Sequence, residues 1–323
     1  MPKLNFLNKE LQNSLVTPRE GEVKAGEHVQ YAEEHDWSEK IKDPEINFVI
    51  IGLCEDLGVA LNKGFKGAES TFLPSLKAIL NTQKNRFNSL DDLLVLGYVD
   101  LEENDGIDQM DDFLSALIKK VKLAGKTPIA IGGGHNNSYG MLKGSSQALN
   151  KPINCLNFDA HTDFRNLEHR HSGNGFSYAY AHKYLKRYLV LGIQENYTPE
   201  YIFEQFEKNS DLKMILEEDL FQKDYSKNNI LNHLKGSDIG LEIDLDLIQG
   251  LTSSAMTPSG LSLQDLRTHL RNTLREIRFC YLHVCEGIIV ENTDHPYLEN
   301  QVPKTIAYLV TDFIKISRSI PRL

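Results

Sequence analysis

Four short runs concentrate side chains of metal-ligand type. They are GGGH, with His135 directly behind three glycines; DAHTD, with Asp159, His161 and Asp163 at every second position; DLD, with Asp244 and Asp246 two apart; and CEG, with Glu286. Each follows or ends an apolar run. Taken singly, a polar residue at a strand end is more often a cap or solvated than a ligand, and a His after glycines more often belongs to a turn. Taken together, the runs reverse those odds. Asp244 and Asp246 alternate with Ile243, Leu245 and Leu247, so a strand there would bury two acids on one face. Buried carboxylates are costly unless neutralised, and a divalent cation neutralises them. Two imidazoles, four carboxylates and a further Glu are enough for two ions sharing bridging carboxylates. Imidazole mixed with carboxylate suits Mn²⁺, Fe²⁺ or Zn²⁺, and an oxygen-rich set without thiolate favours Mn²⁺.

Such residues must be brought to one edge by the elements that carry them. Apolar runs rich in Val, Ile and Leu predict strands at 46–53, 93–99, 127–133, 153–159, 188–194, 212–218, 239–246 and 280–286. Their near-continuous apolar character is that of strands covered on both faces, as in parallel sheets. Between them lie helical patterns. In SLQDLRTHLRNTLREI, Leu263, Leu266, Leu270, Leu274 and Ile277 form one stripe behind Ser262 as N-cap. MDDFLSALIKKVKLAG begins with acids and ends with lysines and a glycine, an order that complements the helix dipole. Strand–helix alternation predicts an α/β fold, three layers (α/β/α) around a mostly parallel sheet. In such sheets ligands bind at the carboxyl ends of the strands, where all four runs fall. Residues 1–44 read as an N-terminal arm with short helical pieces and 45–323 as a single catalytic domain. The stretch from LGVALNKGFKGAES to about Phe87 reads as a long, Gly-containing loop.

Composition removes several classes. A net charge of −10 argues against a nucleic-acid surface, which needs clustered Lys and Arg. No apolar run has the length of a membrane span, and MPKLNFLNKELQNSL lacks the apolar segment of a secretory signal. Cys54, Cys155, Cys280 and Cys285 form no CxxC pair, so free thiols and a cytoplasmic setting are expected. GGGH lacks both the Lys-Ser/Thr of a P-loop and the spacing of a dinucleotide fingerprint.

In this order, GGGH, DAHTD, DLD and CEG resemble the motifs of the arginase/ureohydrolase family of binuclear manganese hydrolases, from about residue 46 onward. The resemblance implies an eight-stranded parallel sheet and a two-Mn²⁺ centre. His135, Asp159, Asp163 and Asp244 would hold one ion; Asp159, His161, Asp244 and Asp246 would hold the other. Within the family, GLCEDLGVALNKGFKGA, Gly134 before the histidine, and Phe176 in HSGNGFSYA are similar to the formimidoylglutamase branch. Arginases carry a proton-relaying His where Phe176 stands. The implied reaction is hydrolysis of a C=N bond, N-formimino-L-glutamate and water giving L-glutamate and formamide. Asp163 would accept a hydrogen bond from the nucleophile, and Glu286 would pair with the planar amidinium.

Arg165 is the expected carboxylate contact because a guanidinium grips carboxylate at two points; a surface ion pair is its alternative. Ser172 and Asn174 are expected to reach the amino-acid end of the substrate, and His171 to be a solvated loop residue, with replacement of the missing proton relay as its alternative. Two departures concern the substrate. The branch often carries an early-loop Arg where this chain has Ala60 or Phe65, and Asn136 follows the histidine where an acid or Ser is usual. The rival readings are a guanidino-compound hydrolase releasing urea, a deacylase of the histone-deacetylase kind, and a catalytically silent relative. Family members are often oligomers, so a homo-oligomer is possible here.

Overall fold

Runs of β-branched and leucine side chains pack on both faces of a pleated chain, and here they build one sheet. The computed structural model describes residues 1–102, 104–220, 232–290, 294 and 296–320. Its strands are β1 (Lys3–Asn5), β2 (Gln30–Tyr31), β3 (Phe48–Cys54), β4 (Leu93–Asp100), β5 (Thr127–Ile131), β6 (Ile153–Phe158), β7 (Leu185–Ile193), β8 (Leu212–Leu216), β9 (Ile239–Asp244) and β10 (Phe279–Cys285). They lie in the order β1-β4-β3-β5-β10-β9-β6-β7-β8, with β2 also on β4. Pairing is parallel throughout except for β1 on β4.

Alternate residues of each strand feed opposite cores. Phe48 and Ile50 join one apolar cluster, with Phe72, Leu76, Leu266, Leu270 and Phe313. Val49 and Ile51 join the other, with Leu114, Ile118, Met141 and Leu142. Helices Phe72–Leu80, Leu263–Leu274 and Gln301–Ser319 therefore cover one face, and Ile107–Leu123 with Ser138–Leu149 the other. In Leu263–Leu274 the Ser262 hydroxyl caps the Asp265 N–H at 3.1 Å. Leu266, Leu270 and Leu274 are fully buried, each contributing roughly 2 kcal/mol of transfer free energy.

All eight expected strands form, with ends shifted by up to three residues. Two differences are larger. The N-terminal segment contributes two further strands, β1 and β2, and buries Leu7, Leu15, Ala25 and Val29 in the first core. The expected loop before β4 contains the helix Phe72–Leu80, with Phe72, Leu76, Ile79 and Leu80 buried. Pro74 masks that helix in the sequence, but a proline in the first turn removes no intrahelical donor.

Candidate metal centre

The ligand-type runs come together because β5, β10, β9 and β6 are neighbours in the sheet. His135 follows β5, Glu286 follows β10, Asp244 ends β9, and Asp159 follows β6. Gly132 and Gly133 have φ of +90° and +72°, which favour glycine, and this turn lifts His135 over the strand ends.

The regular i, i+2 spacing acts differently from a strand. DAHTD lies wholly beyond β6, and Asp246 lies in a 3₁₀ turn beyond β9. In each case the first aspartate turns the chain: Asp159 Oδ1 accepts from His161 N–H at 2.6 Å, and Asp244 Oδ1 from Asp246 N–H at 2.9 Å. The same local hydrogen bond, used twice, sets both pairs of side chains.

The six expected ligands converge. His135 Nδ1 lies 3.2 Å from Asp159 Oδ2, 2.9 Å from Asp163 Oδ2 and 3.1 Å from Asp244 Oδ2. His161 Nδ1 lies 2.9 Å from Asp246 Oδ2 and 3.8 Å from Asp159 Oδ1. Donor atoms of His135, Asp159, Asp163 and Asp244 fall within 4.8 Å of one another, as do those of Asp159, His161 and Asp246, and of Asp244, Asp246 and Glu286. Asp159, Asp244 and Asp246 are buried. Burial and neighbouring carboxylates push Asp244 well above the usual carboxylate range, and burial with the Asp159 charge raises Asp163 to about 6.

These residues fit divalent cations. Oδ1 of Asp246 is buried without a hydrogen-bond partner, His135 Nδ1 faces three carboxylate oxygens with none aligned for a hydrogen bond, and the donors are imidazole and carboxylate. One thiol, uncounted from the sequence, joins them: Cys285 Sγ groups with His135 and Asp244, and donates to the Ile243 carbonyl at 3.7 Å.

Glu286 accepts from His135 N–H at 2.9 Å and from the Ser254 hydroxyl. Burial, with the charges of Asp163 and Asp246, raises it to about 7. Asp163 and Glu286 have φ of +44° and +61°, a backbone region costly for non-glycine residues and concentrated at functional sites.

The centre floors a cleft of about 500 Å³ whose walls include Asn62, Lys63, Phe65, Arg165, Ser172 and Tyr197. A larger groove, about 850 Å³, lies between helices Phe72–Leu80, Leu263–Leu274 and Gln301–Ser319. It is away from the strand ends and contains none of the clustered ligands, so the chemistry assigns the smaller cleft. Arg165 and Ser172 line that cleft, tied together by Asn62: Arg165 donates to Asn62 Oδ1 at 2.9 Å, and Asn62 Nδ2 donates to Ser172 Oγ at 3.1 Å.

Asn174 stands apart from the expectation. It is fully buried, accepts from Arg170 at 2.8 Å and His171 N–H at 3.0 Å, and donates to the His169 carbonyl at 2.9 Å, so it anchors the loop instead of facing substrate. His171 is buried as well, with Nδ1 accepting from Gly173 N–H and Nε2 against Glu168. Phe176 packs edge-on against His135 at 5.0 Å and stacks on Tyr188 at 4.5 Å. Asn136 donates to the buried Glu55 at 3.1 Å, tying the early loop to the histidine turn.

Sequence reasoning missed a polar layer beneath the centre. Glu242 Oε2 lies 2.7 Å from His283 Nδ1 and 3.7 Å from His135 Nε2, and Oε1 accepts from Tyr281 at 2.7 Å. The 3.7 Å contact is too long for a hydrogen bond and acts as a charge contact. Burial would raise Glu242, but His283 and His135 hold it down at about 2. Its parity with Asp244 in LEIDLD was the available signal.

The parallel α/β/α sheet thus carries a histidine–carboxylate cluster at its carboxyl edge. The chain belongs to the arginase family, whose family model matches residues 46–287. A formimidoylglutamase of Streptococcus pyogenes serotype M3 is 30% identical over 214 residues, which span 62% of this chain and 64% of that protein. The match thus covers less than two thirds of the relative's length. Two solved structures share the fold: Trypanosoma cruzi formiminoglutamase with Mn²⁺ (TM-score 0.77, 17% identity, 93% of this chain and 100% of that one) and Bacillus subtilis formimidoylglutamase (TM-score 0.74, 16% identity, 95% of each).

Proposed function

We propose that the protein is a two-Mn²⁺ hydrolase converting N-formimino-L-glutamate and water to L-glutamate and formamide. The observation that carries this reading is the convergence of His135, Asp159, Asp163 and Asp244 under a cleft with basic side chains on its wall. The name of the Streptococcus relative supports the substrate. His135, Asp159, Asp163 and Asp244 would hold one ion, and Asp159, His161, Asp244 and Asp246 the other. When bound, the ions supply Lewis acidity that makes a water nucleophilic near neutral pH.

Asp163 accepts the proton of the water that attacks the amidine carbon. A C–O bond forms, the bond from that carbon to the glutamate nitrogen breaks as that nitrogen takes the proton held by Asp163, and the oxygen gives up its remaining proton as the formamide carbonyl forms. Glu286, held by Ser254 and the His135 N–H, pairs with the amidinium and orients it. Arg165 grips a substrate carboxylate, and Ser172 contacts the amino-acid end. Phe176 offers no proton at the place of the arginase relay, which weighs against a guanidino substrate. The four cysteines are free thiols, which supports a reducing, cytoplasmic setting. Among the described residues no helix is long and apolar enough to cross a membrane.

The test is a substrate panel on Mn²⁺-loaded protein, followed by proton NMR. Formamide from the formimino compound, without urea from arginine, agmatine or guanidinobutyrate, is the expected outcome. Urea release with no formamide would move the protein to the guanidino branch.

A further inference from the structure

The early loop that lacks the expected arginine places a different cation on the cleft. Lys63 lines the cleft beside Asn62, the residue that ties Arg165 to Ser172. It is exposed, and among the described residues it has no ion-pair partner, whereas nearby Lys66 pairs with Asp56 at 3.3 Å. Its backbone is also unusual. Lys63 closes the short helix Leu57–Leu61 with φ of +66°, a position where glycine costs least. Gly64 is one residue away, yet the left-handed position carries a lysine.

The charge of the cleft indicates a task for this lysine. Asp163, Asp244, Asp246 and Glu286 lie on the floor, and Lys63 and Arg165 are the lysine and arginine among the described lining residues. A substrate with two carboxylates needs a cation for each, because a carboxylate brought unpaired toward that acidic floor loses hydration without compensation. We propose that Lys63 is the specificity-determining anchor for the side-chain carboxylate of a dicarboxylate substrate, leaving Arg165 for the carboxylate next to the reacting nitrogen. This rests on the formimino reading above. The same two cations repel the amine tail of substrates such as agmatine, so one pair of residues both selects and excludes.

Steady-state kinetics on N-formimino-L-glutamate and on N-formimino-L-glutamine, whose side-chain carboxylate is an amide, test the anchor. In Lys63→Ala, KM for the dicarboxylate should rise about tenfold or more with kcat nearly unchanged, and the preference over the amide should collapse. Lys63→Arg should restore most of it. Lys63→Gly should melt higher than wild type yet bind as weakly as Lys63→Ala, because glycine relieves the backbone but carries no charge. A lysine serving only the helix end would instead lower the melting temperature of Lys63→Ala and leave KM alone.

A KM shift under about twofold, or an equal shift for both substrates, overturns the anchor. Calorimetric binding of L-glutamate to the Mn²⁺-loaded protein separates the two claims. Turnover that is indifferent to Lys63 removes the anchor and keeps the reaction. Lys63-dependent glutamate binding without turnover removes the reaction and keeps the anchor. Wild-type protein that neither turns over the substrate nor binds glutamate overturns both.

Discussion

Asp246 contributes one oxygen to His161 and leaves the other without a partner, and Glu286 sits in a left-handed backbone with both oxygens engaged. The two acids should therefore fail differently. Asp246→Ala should fold, bind fewer than two Mn²⁺ per chain and lose turnover, which metal analysis after gel filtration can count. Full activity in a variant with no bound metal would contradict the assignment. Glu286→Gln should keep its metal and lose turnover by about 10²–10³-fold, the scale of one positioned electrostatic group; loss of metal would move Glu286 into the ligand set. At this scale the sequence was informative where chemistry repeats: D-x-H-x-D and D-x-D pointed to side chains that the fold gathers within 4.8 Å of one another, because few structural needs place so many acids near buried positions. It misjudged how the spacing works, because a carboxylate accepting an N–H two residues on produces the same spacing as a strand. Glu242 and His283 escaped notice because single polar residues inside apolar runs have many explanations, and Asn174 could not be told from a substrate contact before its partners were known.

The element that shapes the cleft wall is the loop from Arg165 to Asn174. It is pinned by Arg170, which donates to Asp111 at 3.0 and 3.1 Å, to the Asn136 carbonyl at 3.0 Å and to Asn174, and lies over the rings of Tyr139 and Tyr178. Both charged side chains of the Arg170–Asp111 pair are at least nine-tenths buried. Arg170→Ala leaves Asp111 buried without its partner and should cost about 3–5 kcal/mol in denaturant unfolding. It should also raise KM, since Ser172 and Arg165 share that loop. A stability change under about 1 kcal/mol would show the pair to be incidental. Helices with a clean stripe, such as Leu263–Leu274, could be drawn from sequence alone. The helix Phe72–Leu80 could not, because Pro74 and the glycines upstream carry the signature of a loop and only tertiary burial of Phe72 and Leu76 decides the matter.

Across the whole molecule, the N-terminal segment is part of the sheet and of its core. β1 covers the edge of β4, and Leu7, Leu15, Ala25 and Val29 enter the core, contacts between residues far apart in sequence that local pattern could not reveal. The centre adds a pH dependence. Burial raises Asp163 to about 6 and Glu286 to about 7, against an unfolded value of about 4. In the metal-free fold these groups hold protons that the unfolded chain releases, so their contribution is complete below about pH 4 and lost as pH climbs through 6 to 7. The gain in melting temperature on adding Mn²⁺ to chelated protein should therefore be larger at pH 7.5 than at pH 5, since an ion held by Asp163 must displace its proton. Calorimetry at the two pH values checks this, and a gain independent of pH would contradict it. The most direct measurement joins metal to chemistry: N-formimino-L-glutamate followed by proton NMR as Mn²⁺ is titrated from none to two equivalents per chain. Formamide and glutamate should appear in equal amounts, rise as the second equivalent binds and stop on chelation. No formamide from protein carrying two equivalents, or formamide at an unchanged rate without metal, would contradict the reading.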